Sequence, residues 1–235
     1  MIEIKGFIET SLLDWDGKVS AVVFLPRCNF RCVFCHNYEL VTHPEKFDTI
    51  PIERVKNFIS THSDFIDGIV ITGGEPTIYD DLPAFIQQLK ECGVASVKID
   101  TNGTIPACLQ MLIRNRLVDY IAMDIKAPLI ADKYYKNAGV KVDLHKLRES
   151  IELILTSDID YEFRTTVVPT LITATDIIEI AKQINRAKKY VLQSYRPEHA
   201  YNEKLRAVPQ YSEHDMEQFV ELAKAYVTNV KLRGI

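Results

Sequence analysis

Three of the chain's five cysteines crowd into "CNFRCVFCHN", Cys28 to Asn37, with the spacing Cys-x3-Cys-x2-Cys. Thiolates are soft ligands that suit zinc, copper(I) and iron–sulfur clusters. Structural zinc closes a four-ligand tetrahedron. Here the fourth ligand would be His36, awkwardly adjacent to Cys35, or a distant residue, because no second CxxC exists. A four-iron, four-sulfur cluster normally takes four cysteines. Three leave one iron open, and an open coordination position marks a catalytic metal rather than a structural one. A zinc knuckle or a chance grouping of buried thiols is the plainer alternative. Cys92 and Cys108 sit in apolar helical stretches and read as core thiols.

Further polar residues interrupt apolar runs. "GGEP" (Gly73, Gly74, Glu75, Pro76) is either a plain turn or a backbone edge that a ligand can approach with no Cβ in the way. "DTNG" offers Asp100, Thr101 and Asn102, as an Asx turn or as ligand contacts. Asp124 and Lys126 in "DIK" are two residues apart, so on a strand they share a face, with a surface ion pair as the alternative. Asp100 and Asp124 could also share a monovalent cation. Arg164 lies in the otherwise apolar "EFRTTVVP" and needs an anion to offset desolvation, either a bound carboxylate or an internal ion pair. The six histidines are scattered, and no Ser/His/Asp constellation stands out.

The elements that must position these residues alternate. Strand-like runs cover 18–25, 68–73, 96–101, 120–125, 161–168 and 189–195, short, apolar and rich in β-branched residues like buried parallel strands. Helical spacing lies between them: Leu82, Phe85, Ile86 and Leu89; Ile177, Ile180 and Ile184; Phe219, Leu222, Ala223 and Tyr226. Terminal strands are expected at 2–8 and 226–232. This is an α/β chain of six βα units, too short for a closed eight-unit barrel of about 250 residues. A partial (β/α)6 barrel fits better, with an open doubly wound sheet as its competitor. Both place the site at the carboxyl ends of the strands, where nearly every residue singled out above falls.

Composition bounds the rest. The chain has 235 residues, 47% of them hydrophobic, and a formal net charge of -4. That implies no general affinity for nucleic acid or an anionic membrane. The first residues do not read as a signal peptide, and no run approaches the roughly 18 apolar residues of a membrane span. Clustered cysteines in odd number point to a reducing, cytoplasmic setting.

The Cys-x3-Cys-x2-Cys loop after a first strand, with "ITGGEPT", "DTNG", "MDIKAPL", "FRTTVVP" and "QSY" in order, resembles the radical S-adenosylmethionine (SAM) superfamily. The resemblance runs through most of the chain. It implies a partial TIM-like barrel with short flanking N- and C-terminal strands, one core domain over residues 1–235. It implies a 4Fe-4S cluster held by Cys28, Cys32 and Cys35, with SAM chelating the open iron. It places Gly73, Gly74 and Glu75 at SAM's amino group, Phe34 near the adenine, and Asp100 and Asn102 near the ribose or carboxylate. Lys126 and Arg164 complete the expected SAM site. The segment Gly6 to Asn37 further resembles activating enzymes of glycyl radical enzymes, closest to the anaerobic ribonucleoside-triphosphate reductase branch. That implies a protein partner carrying the glycine and a one-electron donor such as flavodoxin or ferredoxin. Two departures are Arg27, where glycine commonly precedes the first cysteine, and Asp16, where related sequences often have proline. A radical SAM enzyme for a small molecule, nucleoside or peptide, and a non-catalytic metal-binding protein, are the competing expectations.

Overall fold

The computed structural model describes residues 2–234, so positions 1 and 235 of the expected 1–235 domain lie outside it. Eight strands follow one another across a single sheet in chain order: β1 (Gly6–Ser11), β2 (Ser20–Leu25), β3 (Gly68–Gly73), β4 (Val97–Thr101), β5 (Tyr120–Asp124), β6 (Asp160–Val167), β7 (Tyr190–Ser194) and β8 (Val230–Arg233). β1 is antiparallel to β2, and every later pair is parallel. A doubly wound sheet reverses its order at a switch point. Here the order never reverses, so right-handed crossovers all wind one way and the sheet curves into a partial barrel. Among the described residues β1 and β8 end the sheet without pairing to each other, which leaves one side open.

The six central strands lie within two residues of the apolar runs that announced them. The terminal strands do not. Before β1 begins at Gly6, Ile4 forms an isolated bridge to Ile50 and the Lys5 amide donates to the Phe24 carbonyl, so residues 2–5 lie outside the strand. The last strand starts at Val230 because the chain first turns back, with the Tyr226 and Val227 amides donating to the Ala223 carbonyl.

The helices are α1 (Tyr38–Thr42), α2 (Ile52–Thr61), α3 (Leu82–Lys90), α4 (Pro106–Arg114), α5 (Ala131–Ala138), α6 (Leu144–Thr156), α7 (Ala174–Gln183), α8 (Glu203–Arg206) and α9 (Glu213–Lys224). None of the described helices is long and apolar enough to cross a membrane. Leu82, Phe85, Ile86 and Leu89 of α3 are buried as one stripe, and Ile177 and Ile180 of α7 likewise, with Ile184 buried just past its end. α7 opens on a capping box, Thr173 with Asp176, which satisfies otherwise unpaired amides. On α9 the buried face is Met216, Phe219, Val220 and Ala223, whereas Leu222 is exposed and Tyr226 lies beyond the helix. The expected stripe was rotated because Val220, four residues before Lys224, packs inward in place of Leu222.

Apolar side chains fill the space between strands and helices, while the barrel interior is polar. Successive residues of a strand point to opposite faces. Val97 and Ile99 join the outer core, and Lys98 and Asp100 between them face inward. The base of the barrel is stopped by the β1–β2 turn. Trp15 from this turn packs on Val22, Val70, Phe24 and Tyr120, its ring 5.7 Å from that of Tyr120. Lys98 Nζ donates to the Asp14 carbonyl of this turn.

Candidate active site

The cysteine loop is gripped from two sides by backbone. On one side it crosses the end of β3, where the Gly74 amide donates to the Leu25 carbonyl at 2.8 Å and the Glu75 amide to the Arg27 carbonyl at 2.9 Å. A Cβ at Gly74 would stand 1.7 Å from the Arg27 oxygen. Close approach was the expected reason for this glycine, but the neighbour is the loop itself. On the other side α5 ends against the loop. The Arg31 amide donates to the Ala138 carbonyl at 2.8 Å and the Val33 amide to the Asn137 carbonyl at 3.3 Å, using carbonyls that a helix end leaves unpaired. Gly139 caps α5 at φ +71°, and a Cβ there would meet the Arg31 oxygen at 2.0 Å. Asn137 and Gly139 escaped the sequence reading; the signal was a glycine directly after a helical pattern.

Within this grip Cys28, Cys32 and Cys35 line one cavity of about 370 Å³. Every predicted site residue lines it too, from Phe34, Gly73, Gly74 and Glu75 to Asp100, Asn102, Lys126 and Arg164. Burial pushes Cys28 and Cys32 up to about 12, and Cys35 in the same direction. Thiols whose ionised form is disfavoured need a cationic group beside them to become thiolates. The donor set therefore fits a soft, positively charged metal group. Among the described residues no three His, Cys, Asp or Glu side chains close on a single metal ion. A cubane asks for something else, since each thiolate binds a different iron. Cys92 and Cys108 stay apart, half-buried against the outer core.

The charged wall opposite is satisfied from within. Arg164 holds Asp124 with two bonds, Nε to Oδ1 at 3.0 Å and Nη2 to Oδ2 at 3.1 Å, and Asp100 with Nη1 at 3.1 Å. Lys98 adds a 3.1 Å contact to Asp100, and Lys126 one of 3.2 Å to Asp124. Of the two alternatives for Arg164 the internal ion pair is the one formed. The guanidinium bridges Asp100 and Asp124, the two carboxylates for which a shared monovalent cation was expected, so the chain itself already supplies them with a compensating charge. Burial alone would raise the Asp124 carboxyl, but Arg164 and Lys126 outweigh it and hold it below the usual range. Lys126 is shifted the other way, by its own neighbours. Burial pulls it down, yet Asp124 and Cys32 hold it above its ordinary value.

Glu75 is 1% exposed and fully engaged. Its Oε1 accepts from the Thr77 amide and hydroxyl and from the Thr101 hydroxyl, and its Oε2 accepts from the Asn102 amide at 2.6 Å. It ties the end of β3 to the end of β4. Asn102 donates to Asn29 Oδ1 at 2.8 Å and accepts from Thr104, closing the Asx turn that was its plainer reading. Its amide nitrogen also lies 3.9 Å from the Cys28 sulfur. Phe34 is buried, with Lys126 Nζ 5.9 Å from its ring centre.

A second layer of charge lies deeper and was not foreseen. Glu162 accepts from Arg233, with bonds of 2.9 and 3.2 Å, and from the Tyr120 hydroxyl, and contacts Lys189 at 2.8 Å. Asp16, one of the two sequence departures, pairs with Lys189 and Arg233. The signal was there in "VKIDT" and "YEFRTTV", where polar residues recur every second position. The other departure, Arg27, has φ +60°, a left-handed conformation that glycine adopts without strain.

Residues 22–184 match the family model of the radical SAM superfamily. The chain is 35% identical over 236 aligned residues, 99% of itself and 96% of the relative, to a candidate glycyl-radical enzyme activating enzyme of Methanocaldococcus jannaschii. A candidate GTP 3′,8-cyclase of Methanothermobacter marburgensis is 25% identical over 57% of this chain and 43% of its own length. Among solved structures, Streptococcus suis SuiB superposes over 89% of this chain with a TM-score of 0.69 and 16% identity, a likeness of fold. The chain spans about half of that protein, 47%.

Proposed function

The chain belongs to the radical SAM superfamily and is a radical SAM enzyme, and from that premise we propose that it generates a glycyl radical on a partner enzyme. Cys28, Cys32 and Cys35 would hold a 4Fe-4S cluster, and SAM would lie between it and the Gly73–Gly74 edge. Bound there, cluster and SAM supply a one-electron cleavage of the sulfonium to methionine and a 5′-deoxyadenosyl radical able to take a hydrogen atom from glycine. The chain's own residues bind, orient and exclude water. Phe30 and Phe34 bury the loop, and Glu75 fixes the glycine edge relative to Asn102. Lys126 puts a cation beside the thiols, where it favours their ionised form. Asp100, Asp124 and Arg164 act as a rigid wall rather than as free hands.

The observation that carries the reading is that three thiols and one glycine edge face a single cavity. Likeness to the Methanocaldococcus jannaschii relative over 99% of this chain and 96% of the relative favours a glycyl radical enzyme as partner. The anaerobic ribonucleoside-triphosphate reductase is our specific candidate, and flavodoxin or ferredoxin the class of electron donor. The test is anaerobic reconstitution with iron and sulfide, then reduction with SAM and the candidate reductase. Electron paramagnetic resonance should show the doublet of a glycyl radical. SAM cleavage without a doublet would leave the chemistry standing and remove this partner.

A further inference from the structure

We propose that the outer face of the cysteine loop is where a one-electron donor docks, and that the donor is a small carrier protein with an acidic rim around its redox group. The proposal deepens the function argued above and rests on it only for the need of an electron from outside.

The three cysteines face two openings. The first is the cavity walled by the strand ends. The second is a shallow cleft that no strand lines, bounded by the same cysteines with Arg31, Tyr38 and Tyr201. At about 30 Å³ it has room for a water but not for a cofactor or a substrate, so what meets it is another surface. Its rim is built by the chain after β7, which folds back across the loop. The Asn202 amide donates to the Val33 carbonyl at 2.8 Å, and the Tyr201 ring lies 5.4 Å from that of Tyr38. Arg206 stands over the Tyr38 ring at 5.9 Å and reaches its hydroxyl at 3.4 Å. Tyr201 is 42% exposed, and Arg206 is exposed as well. Tyrosine and arginine are the residue types that concentrate binding energy at protein interfaces.

Charge selects the partner. The chain as a whole carries -4, which disfavours an acidic protein over most of its surface. At the cleft the balance is reversed. Among the described residues its lining includes one cation, Arg31, and no carboxylate. Arg31 Nη1 donates to the Cys28 and Phe30 carbonyls at 2.6 and 2.7 Å, which holds the guanidinium against the loop. Lys136 extends the charge, exposed in the last turn of α5, the helix whose end grips the loop at Arg31 and Val33. Two carboxylates lie nearby in the chain, and both are exposed: Glu39 beside Tyr38, and Glu203 at 3.8 Å from Arg206, where an ion pair holds little. Redox encounters use small, weak interfaces steered by charge, so a few cations suffice to orient one. Electron tunnelling falls off steeply with distance. A donor seated on this cleft stands beside the cysteines while SAM and the glycine fill the other opening.

The probe is an oxidised flavodoxin chosen for carboxylates around its flavin. Its affinity for the reconstituted, unreduced protein is read by calorimetry at low salt and at about 0.5 M salt, where charge attraction is screened. At low salt Arg206→Glu and Lys136→Glu should each weaken binding about fivefold and together about twenty-fivefold, and Tyr201→Ala about threefold. The charge effects should largely vanish at high salt. Glu203→Lys should act in the opposite sense and tighten binding about twofold. Lys188→Glu, just before β7 and so at the other end of the barrel, should leave it unchanged. As a second readout, stopped-flow absorbance follows cluster reduction without SAM. In that step the fully reduced flavin loses one electron, the cluster gains it, and no bond forms or breaks. The Arg206→Glu, Lys136→Glu chain should be slower with flavodoxin and unchanged with dithionite. Wild-type affinity in that chain, an equal loss in Lys188→Glu, or no flavodoxin binding overturns the proposal. So does a chain that keeps flavodoxin but loses the candidate reductase, because the cleft would then belong to the glycyl radical enzyme. A cluster that dithionite cannot reduce overturns the function instead, and the affinities still decide the docking.

Discussion

The two walls of the cavity hold chemically loaded side chains in opposite states. The cysteine loop presents three thiols whose burial disfavours their ionised form, with Lys126 as a cation beside them and, among the described residues, no carboxylate or histidine closing a metal site with them. The strand wall presents Asp100, Asp124 and Arg164, each closed on another. Both were conspicuous in the sequence as polar residues in apolar settings. What separates a site from its scaffold is whether the protein itself supplies the missing partner. Groups left incomplete are where a cofactor or substrate belongs, and groups that complete each other hold the shape.

The contrast is most sharply tested by cutting each wall. Cys32→Ala should abolish cluster assembly, read as bound iron and visible absorbance after reconstitution, while costing the cluster-free chain only about 1 kcal/mol in urea unfolding. Full iron incorporation would break the assignment. Arg164→Met should do the reverse. It leaves two half-buried carboxylates facing each other with only Lys98 and Lys126 to balance them, and since removing one partner of a fully buried pair costs roughly 3–5 kcal/mol, the loss here should approach the lower end of that range. An Arg164→Met chain as stable as the wild type would mean that the wall is not a scaffold.

Acid probes the same wall more gently. Glu162 is buried, and although burial raises its carboxyl, Arg233, Arg164 and Lys189 outweigh that and hold it well below the ordinary glutamate value of about 4.3. For a depressed carboxyl the native state binds fewer protons than the unfolded chain. Its stabilising contribution is therefore full above the unfolded value and is lost as pH falls towards the folded one. Urea midpoints should decline below about pH 4.5, and Glu162→Gln should be less stable at pH 7 with a shallower decline. An equally steep decline in the variant would move the effect to other carboxylates.

How much of this was legible follows from the range over which each signal acts. The six central strands and the α3 and α7 stripes are local patterns of apolar residues, and they were readable. So was the cysteine spacing, because all three thiols lie in one loop. Partnerships were not. Arg164 meets Asp124 forty residues away and Asp100 sixty-four away, and only the barrel brings them together. The same holds for Asp16 with Arg233, which join the two ends of the chain. The α9 stripe failed for a different reason. Phe219, Leu222, Ala223 and Tyr226 have helical spacing, but the helix stops at Lys224, and packing against α7 and β8 selects Val220 instead of Leu222. Spacing allows several faces; the neighbours choose one.

The smallest effect tests how finely the cysteine loop is held. Arg27 takes φ +60°, and a residue with a Cβ pays about 1–2 kcal/mol in the left-handed region. Arg27→Gly removes that cost but gives the unfolded chain more freedom, worth roughly 0.5–1 kcal/mol in the other direction. The difference predicts a gain of at most about 1.5 kcal/mol, read as a small upward shift of the urea midpoint. Arg27→Ala keeps the Cβ and should gain nothing from the backbone. Gly74→Ala supplies the contrast on the facing strand end. Its Cβ would stand 1.7 Å from the Arg27 oxygen, so the loop must move and cluster assembly should suffer. If Arg27→Gly were instead destabilising, the arginine side chain would contribute more than its backbone conformation costs. The departure from glycine before Cys28 would then be a stabilising feature of this chain rather than a tolerated strain.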